Sequence, residues 1–97
     1  MKVSFKSRKL ELLETEADDA GYPPEAVKAF RKRMQFIRAA TDERDLRAMK
    51  SLRFEKLKGA RSHQYSVRLN DQWRLVFELE AHVTTKSLVI VDIEDYH

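Results

Sequence analysis

Polar and apolar residues alternate through residues 64–79. Tyr65, Val67 and Leu69 are apolar, whereas Gln64, Ser66 and Arg68 are polar. After Asn70-Asp71-Gln72 the alternation resumes with Trp73, Leu75, Phe77 and Leu79. A period of two marks a half-buried strand, and two such runs around Asn and Asp predict a hairpin. A three-residue loop at 70–72 pairs Leu69 with Trp73, Val67 with Leu75 and Tyr65 with Phe77. All six then share one apolar face, and Arg68 stands opposite Arg74 on the other. A slip of one residue would mix the faces, so the pattern specifies this register. Like charges directly opposite each other cost about 0.2–1 kcal/mol. Two arrangements relieve that cost: an anion between the arginines, which their planar forks suit, or separate carboxylates and solvent. The pattern leaves both open.

The rest of the chain is read outward from this hairpin. Met1 to Lys6 alternates, with Val3 and Phe5 on one side, as in a short edge strand whose lysines discourage aggregation. Ser7 is placed to cap a helix running to about Glu16, with Leu10 and Leu13 inward and Leu12 flanking. Gly21 and Pro23 break the chain, and Pro24 suits the first turn of a second helix ending near Ala40. Val27, Phe30, Met34 and Ile37 form its apolar stripe. Lys28, Arg31, Lys32, Arg33 and Arg38 occupy its remaining surface, either as a solvated face or as phosphate contacts. Thr41-Asp42-Glu43 caps a third, short helix to about Lys50, with Leu46 and Met49 inward. Residues 51–58 form a connector with room for a turn or a short strand. Gly59 supplies backbone freedom at the turn before the hairpin. Ala81 to Lys86 forms a further turn. Leu88-Val89-Ile90-Val91 is apolar throughout, as in an interior strand covered on both faces. The expected architecture is an α+β domain: an N-terminal strand, two to three helices, and a C-terminal antiparallel meander in a mainly antiparallel sheet.

Composition narrows the class. A chain of 97 residues implies a single domain, 1–97, with one modest core. Its net charge of +3 favours anionic partners without separating nucleic acid from acidic protein. No cysteine is present, which excludes disulfides and thiolate metal sites. No apolar run is long enough to span a membrane and the N-terminus lacks a signal-peptide core, so a soluble cytoplasmic protein is expected.

Candidate chemistry gathers at the end of the chain. Asp95, Tyr96 and His97 put a carboxylate, a phenol and an imidazole in consecutive positions, on a strand that can deliver them beside the hairpin arginines. Histidine titrates near neutral pH and transfers protons readily, and tyrosine stacks on bases. The alternative is a frayed, solvated tail. His63 precedes the hairpin and His82 lies near the far turn; neither has metal-ligand spacing, so no metal and no cofactor are expected. No glycine-rich phosphate loop or nucleophile elbow occurs.

The segment LKGARSHQYSVRLNDQWRLVF followed by VDIEDYH resembles the HigB-type toxins of the RelE/ParE superfamily, the plasmid-maintenance killer proteins. The resemblance spans nearly the whole chain, from SFKSRKLELLETE through the basic helix. Its most specific parts are LKG, RLNDQWR and the terminal DYH. It implies a small RelE-like fold and a ribosome-dependent endonuclease that cuts mRNA in the ribosomal A site. It implies a HigA-type helix-turn-helix antitoxin as partner, with DNA reached only through that complex. By position, Lys58, Arg68 and Arg74 become basic active-site residues, and Asp95, Tyr96 and His97 the terminal catalytic group. Arg61, Lys28, Arg31 and Lys32 are the further RNA-binding candidates. Some relatives carry a histidine just before LKG. Here that segment reads Arg53-Phe54-Glu55-Lys56, which either gives Glu55 the role or predicts weak activity.

RNA can be cut without metal when its 2′-OH attacks the adjacent phosphate, given a base, an acid and cations around the phosphate. His97 fits the acid or base, and Lys58, Arg68 and Arg74 the cations. Asp95 is placed to orient His97, and Tyr96 to position a base or phosphate. Two other readings stay open: a gyrase inhibitor like the ParE toxins, and an inactive module that only binds antitoxin.

Overall fold

The computed structural model describes residues 1–15, 19–81 and 86–95. Strand β1 is Lys2–Phe5, followed by helices α1, Arg8–Thr15, α2, Pro24–Ala39, and α3, Glu43–Ala48. Strands β2, Glu55–Lys56, β3, Tyr65–Arg68, β4, Trp73–Ala81, and β5, Lys86–Asp95, complete the chain. The sheet has the order β1-β5-β4-β3-β2. Only β1 runs parallel to its neighbour, β5; the other pairings are antiparallel. The expected α+β class, edge strand and C-terminal meander are all present.

The helices cover one sheet face. Leu10 and Leu13 of α1 and Val27, Phe30, Met34 and Ile37 of α2 are buried against Val67, Leu75, Phe77, Leu88 and Ile90 of the sheet. The apolar stripe of α2 therefore does what its spacing predicts. Two of the basic residues of α2 tie it to α1. Arg31 Nε donates to the Leu13 carbonyl at 2.9 Å. Arg38 donates to both Glu14 carboxylate oxygens at 2.6 and 2.7 Å. The run Leu88 to Val91 lies in β5, between β1 and β4, as an all-apolar run requires.

The hairpin has the expected register: Tyr65 opposite Phe77, Val67 opposite Leu75 and Arg68 opposite Arg74. Asn70 closes the loop. Its Oδ1 accepts from the backbone N–H of Gln72 at 2.9 Å and of Trp73 at 2.8 Å, the local bonding that favours asparagine in turns. Beneath the hairpin Phe54, Tyr65 and Phe77 form an aromatic cluster with ring centroids 5.4 to 6.1 Å apart.

Two details differ from the sequence expectation. Helix α3 stops at Ala48, and a 3-10 turn, Lys50–Leu52, follows. Met49 is 41% exposed rather than inward; Leu52 takes the buried position. The connector holds the short strand that residues 51–58 had room for, β2, at the sheet edge. Of the far turn, His82 and residues 83–85 lie outside the described residues, as does Glu16 at the expected end of α1.

Helix α3 starts where the Asp42 side chain accepts from the Arg44 N–H at 2.9 Å. The next residue, Glu43, is buried and ion-paired with Lys86 at the start of β5. The hydrogen bond from Lys86 holds the Glu43 carboxyl below the ordinary range. A depressed carboxylate contributes stability that is complete above about pH 4.3, its unfolded value, and is lost as pH falls through the lower folded value. Glu43→Gln is expected to cost up to about 1 kcal/mol at neutral pH. It should also make the loss of stability between roughly pH 5 and 3 shallower. Urea melts across that range measure both effects. A uniform displacement at every pH would assign the loss to packing instead of charge.

Candidate active site

The face of the sheet away from the helices carries the hairpin arginines. The register sets Arg68 of β3, Arg74 of β4 and Glu94 of β5 in one row across three strands. In the neighbouring row, Glu55 of β2 stands opposite Ser66 of β3. Arg74 crosses between the rows: its Nη2 lies 2.8 Å from Glu55 Oε2. The Arg74 side chain is only 16% exposed while Glu55 is 49% exposed. A shielded cation and an accessible carboxylate thus sit side by side.

Arg68 is held at the loop. Its Nε donates to the Asn70 carbonyl at 3.2 Å, and its guanidinium pairs with Asp71. The Asp71 side chain is 94% exposed, so this ion pair is weak and easily exchanged for another anion. Both hairpin arginines therefore meet carboxylates, Arg74 within the sheet and Arg68 within its own loop.

Lys58 is exposed at the end of β2, before a 3-10 turn, Gly59–Arg61. Gly59 has φ +65°, the left-handed conformation its lack of a Cβ permits. Arg61 ties this turn to β5, because Nη1 and Nη2 donate to the two Glu94 oxygens at 3.0 and 2.5 Å. That bond keeps the Arg61 guanidinium protonated beyond its ordinary range. Arg61 thereby links the turn after Lys58 to β5.

Asp95 pairs with Trp73, one residue past the arginine row, and accepts from Gln72 Nε2 at 3.1 Å. Tyr96 and His97 lie outside the described residues. On α2, Lys28 and Lys32 are exposed, whereas Arg31 is engaged with Leu13. His63 is exposed, 3.5 Å from Glu78. Glu78 also accepts from Gln64 and Lys6, and these bonds hold its carboxyl below the usual range.

Two residues of this region were not singled out by the sequence reading. Glu94 was hidden by the grouping of the last three residues. Arg33 reads as one more charge on a basic helix, yet it is half-buried beside Leu69 at the hairpin tip. Burial, and then the charge of Arg68, push the Arg33 guanidinium down from its ordinary value.

Among the described residues, no group of three or more His, Cys, Asp or Glu side chains is arranged to hold a metal ion. No helix among them is long and apolar enough to cross a membrane.

The family described as RelE-like toxin of type II toxin-antitoxin system HigB matches residues 3–97. The chain is 30% identical over 94 residues to the endoribonuclease HigB of Proteus vulgaris, covering 97% of each protein. Its fold is similar to that of a YoeB/ParE toxin from Agrobacterium tumefaciens, with a TM-score of 0.56 at 14% identity over the full length of both chains.

Proposed function

Because the chain belongs to the HigB family of RelE-like toxins of type II toxin-antitoxin systems, we propose that it is an endoribonuclease that cuts mRNA in the ribosomal A site. The observation that carries this reading is the contact of Arg74 with Glu55 at 2.8 Å, one strand from Arg68. A general base and two phosphate-binding cations then share one open sheet face.

The chemistry is an internal transesterification. Glu55 takes the proton of the 2′-OH, and that oxygen attacks the adjacent phosphorus. The P–O5′ bond breaks, leaving a 2′,3′-cyclic phosphate on one fragment and a 5′-hydroxyl on the other. Arg68, Arg74 and Lys58 stabilise the charge that builds on the phosphate oxygens. His97 supplies the proton to the departing 5′-oxygen, a role taken from its residue type and the family resemblance. Tyr96 stacks on a base of the message, and Asp95 orients His97. Lys28 and Lys32 on the exposed side of α2 contact RNA backbone. A type II toxin is paired with an antitoxin. Here the partner is a HigA-type helix-turn-helix protein, which brings the toxin to operator DNA only indirectly.

Primer extension on translating ribosomes tests this reading, comparing the wild type with His97→Ala and Glu55→Gln, all with untagged C-termini. Cuts that require ribosomes and fall sharply in both variants are expected. Cuts unchanged in His97→Ala would remove His97 as the acid. No cuts from folded wild type would defeat the nuclease reading, and inhibited DNA supercoiling would then favour a gyrase poison.

A further inference from the structure

We propose that Arg61 is a positioning residue for the phosphate site: by holding Glu94, it keeps that carboxylate off Arg74. The inference rests on the nuclease reading and gives a part in it to a pair of side chains that do not themselves meet the phosphate.

The register puts two opposite charges together. Glu94 of β5 stands directly opposite Arg74 of β4 on the open face of the sheet. Side chains so placed have Cβ atoms roughly 5 Å apart, and opposite charges there attract each other. Left to itself, Glu94 would close on Arg74. Arg74 already meets one carboxylate, since its Nη2 lies 2.8 Å from Glu55 Oε2. Glu55 is the base of the reaction, so that contact belongs to the chemistry. A second carboxylate on the same guanidinium would repel the phosphate that Arg74 must receive.

Both Glu94 oxygens are taken by Arg61 instead. Arg61 ends the 3-10 turn Gly59–Arg61. The backbone closes this turn: the Arg61 N–H donates to the Lys58 carbonyl at 3.3 Å, and the Gln64 N–H donates to the Arg61 carbonyl at 2.9 Å. Arg61 Nε donates to Gln64 Oε1 at 3.1 Å, which aims the guanidinium. Nη1 and Nη2 then reach one Glu94 oxygen each, at 3.0 and 2.5 Å. The Arg61 side chain is 45% exposed and that of Glu94 34%. A one-point ion pair so exposed would hold little. A two-point fork with a further bond behind it is stronger and fixed in direction. Lysine would bring the charge without the fork.

The test uses the full chain and two readouts, with wild type, Arg61→Gln, Arg61→Lys and the double variant Arg61→Gln/Glu94→Gln. First, inorganic phosphate is titrated while the Arg74 Nε–H signal is followed by NMR. Wild type should give a saturable shift. Arg61→Gln should weaken phosphate binding about tenfold, the effect of one unit charge a few ångströms away at intermediate screening. Arg61→Lys should lose less, and the double variant should recover most of the loss. Second, message cleavage on ribosomes should follow the same order, in kcat more than in KM, because the phosphate is most negative in the transition state. The double variant separates charge from architecture. It lacks the bridge as Arg61→Gln does, so recovery comes only from removing the carboxylate. No recovery would mean that the bridge merely holds the turn, and would overturn the proposal. A rise in KM alone, unrelieved by Glu94→Gln, would overturn it too and make Arg61 a message contact. An Arg74 signal indifferent to phosphate in wild type would leave no phosphate site to guard. The predicted phosphate affinities in a protein that cuts no message would keep the Arg61–Glu94 pair and defeat the nuclease reading. Should Arg61→Gln not fold, Arg61→Lys with and without Glu94→Gln makes the same comparison.

Discussion

Arg74→Ala is expected to lower message cleavage about 10²- to 10³-fold, the loss typical when one positioned donor to a developing oxyanion is removed. Arg74 is the most shielded arginine of the site. It sits in the middle strand of the sheet, its side chain is 16% exposed, and it is ion-paired with Glu55. A cation already oriented and shielded from water needs no reorganisation when charge moves onto the phosphate. The loss should appear in kcat more than in KM, because the interaction strengthens in the transition state. Arg74→Lys keeps the charge but not the planar fork, so it should recover only part of the rate. Circular dichroism and thermal melting must show both variants folded. A folded Arg74→Ala protein that cuts at the wild-type rate would take Arg74 out of the reaction. It would also remove the reason for setting two arginines opposite each other.

The sequence made the hairpin readable because three constraints agree there. Tyr65, Val67 and Leu69 alternate, Trp73, Leu75 and Phe77 alternate, and a three-residue loop closed by Asn70 joins them in one phase. The same rule misleads at β5. Leu88 and Ile90 face the core, and a period of two carried onward would put Asp92 and Glu94 there as well. A register shift between Val76 and Phe77 intervenes: Phe77 pairs with Ile90, but Val76 pairs with Asp92. The extra residue on β5 turns Ile93 into the core and sets Glu94 in the row of Arg74. Only the isolated apolar Ile93 among acidic neighbours signals this. Arg33 was hidden for another reason. Beside Met34 on α2 it looks like any solvated charge, and only the packing of α2 near Leu69 gives it Arg68 as a neighbour. Helical periodicity names the face that is buried; it does not name what the border of that face will meet. Arg31 and Arg38 show the converse, since two charges of the same helix are spent on α1.

Phe77→Ala is expected to destabilise the protein by about 3–5 kcal/mol, the range for deleting a buried aromatic side chain. Phe77 is fully buried on β4, stacked with Tyr65 and edge-on to Phe54. Its loss removes the ring against which both Phe54 and Tyr65 pack. A domain of this size has about 5–15 kcal/mol in all, so much of its stability goes with this one ring. Urea unfolding should show a lower midpoint at an unchanged slope, since the surface exposed on unfolding stays nearly the same. The arginines lie on the opposite sheet face, so the variant that remains folded at low temperature should still cut message. Its loss of activity on warming should follow its unfolding. A cost under about 1 kcal/mol would show that the cluster collapses freely and does not set the register. Full stability with lost cleavage would instead place Phe77 in direct support of Arg74, and would couple the core face of β4 to the chemistry on its other side.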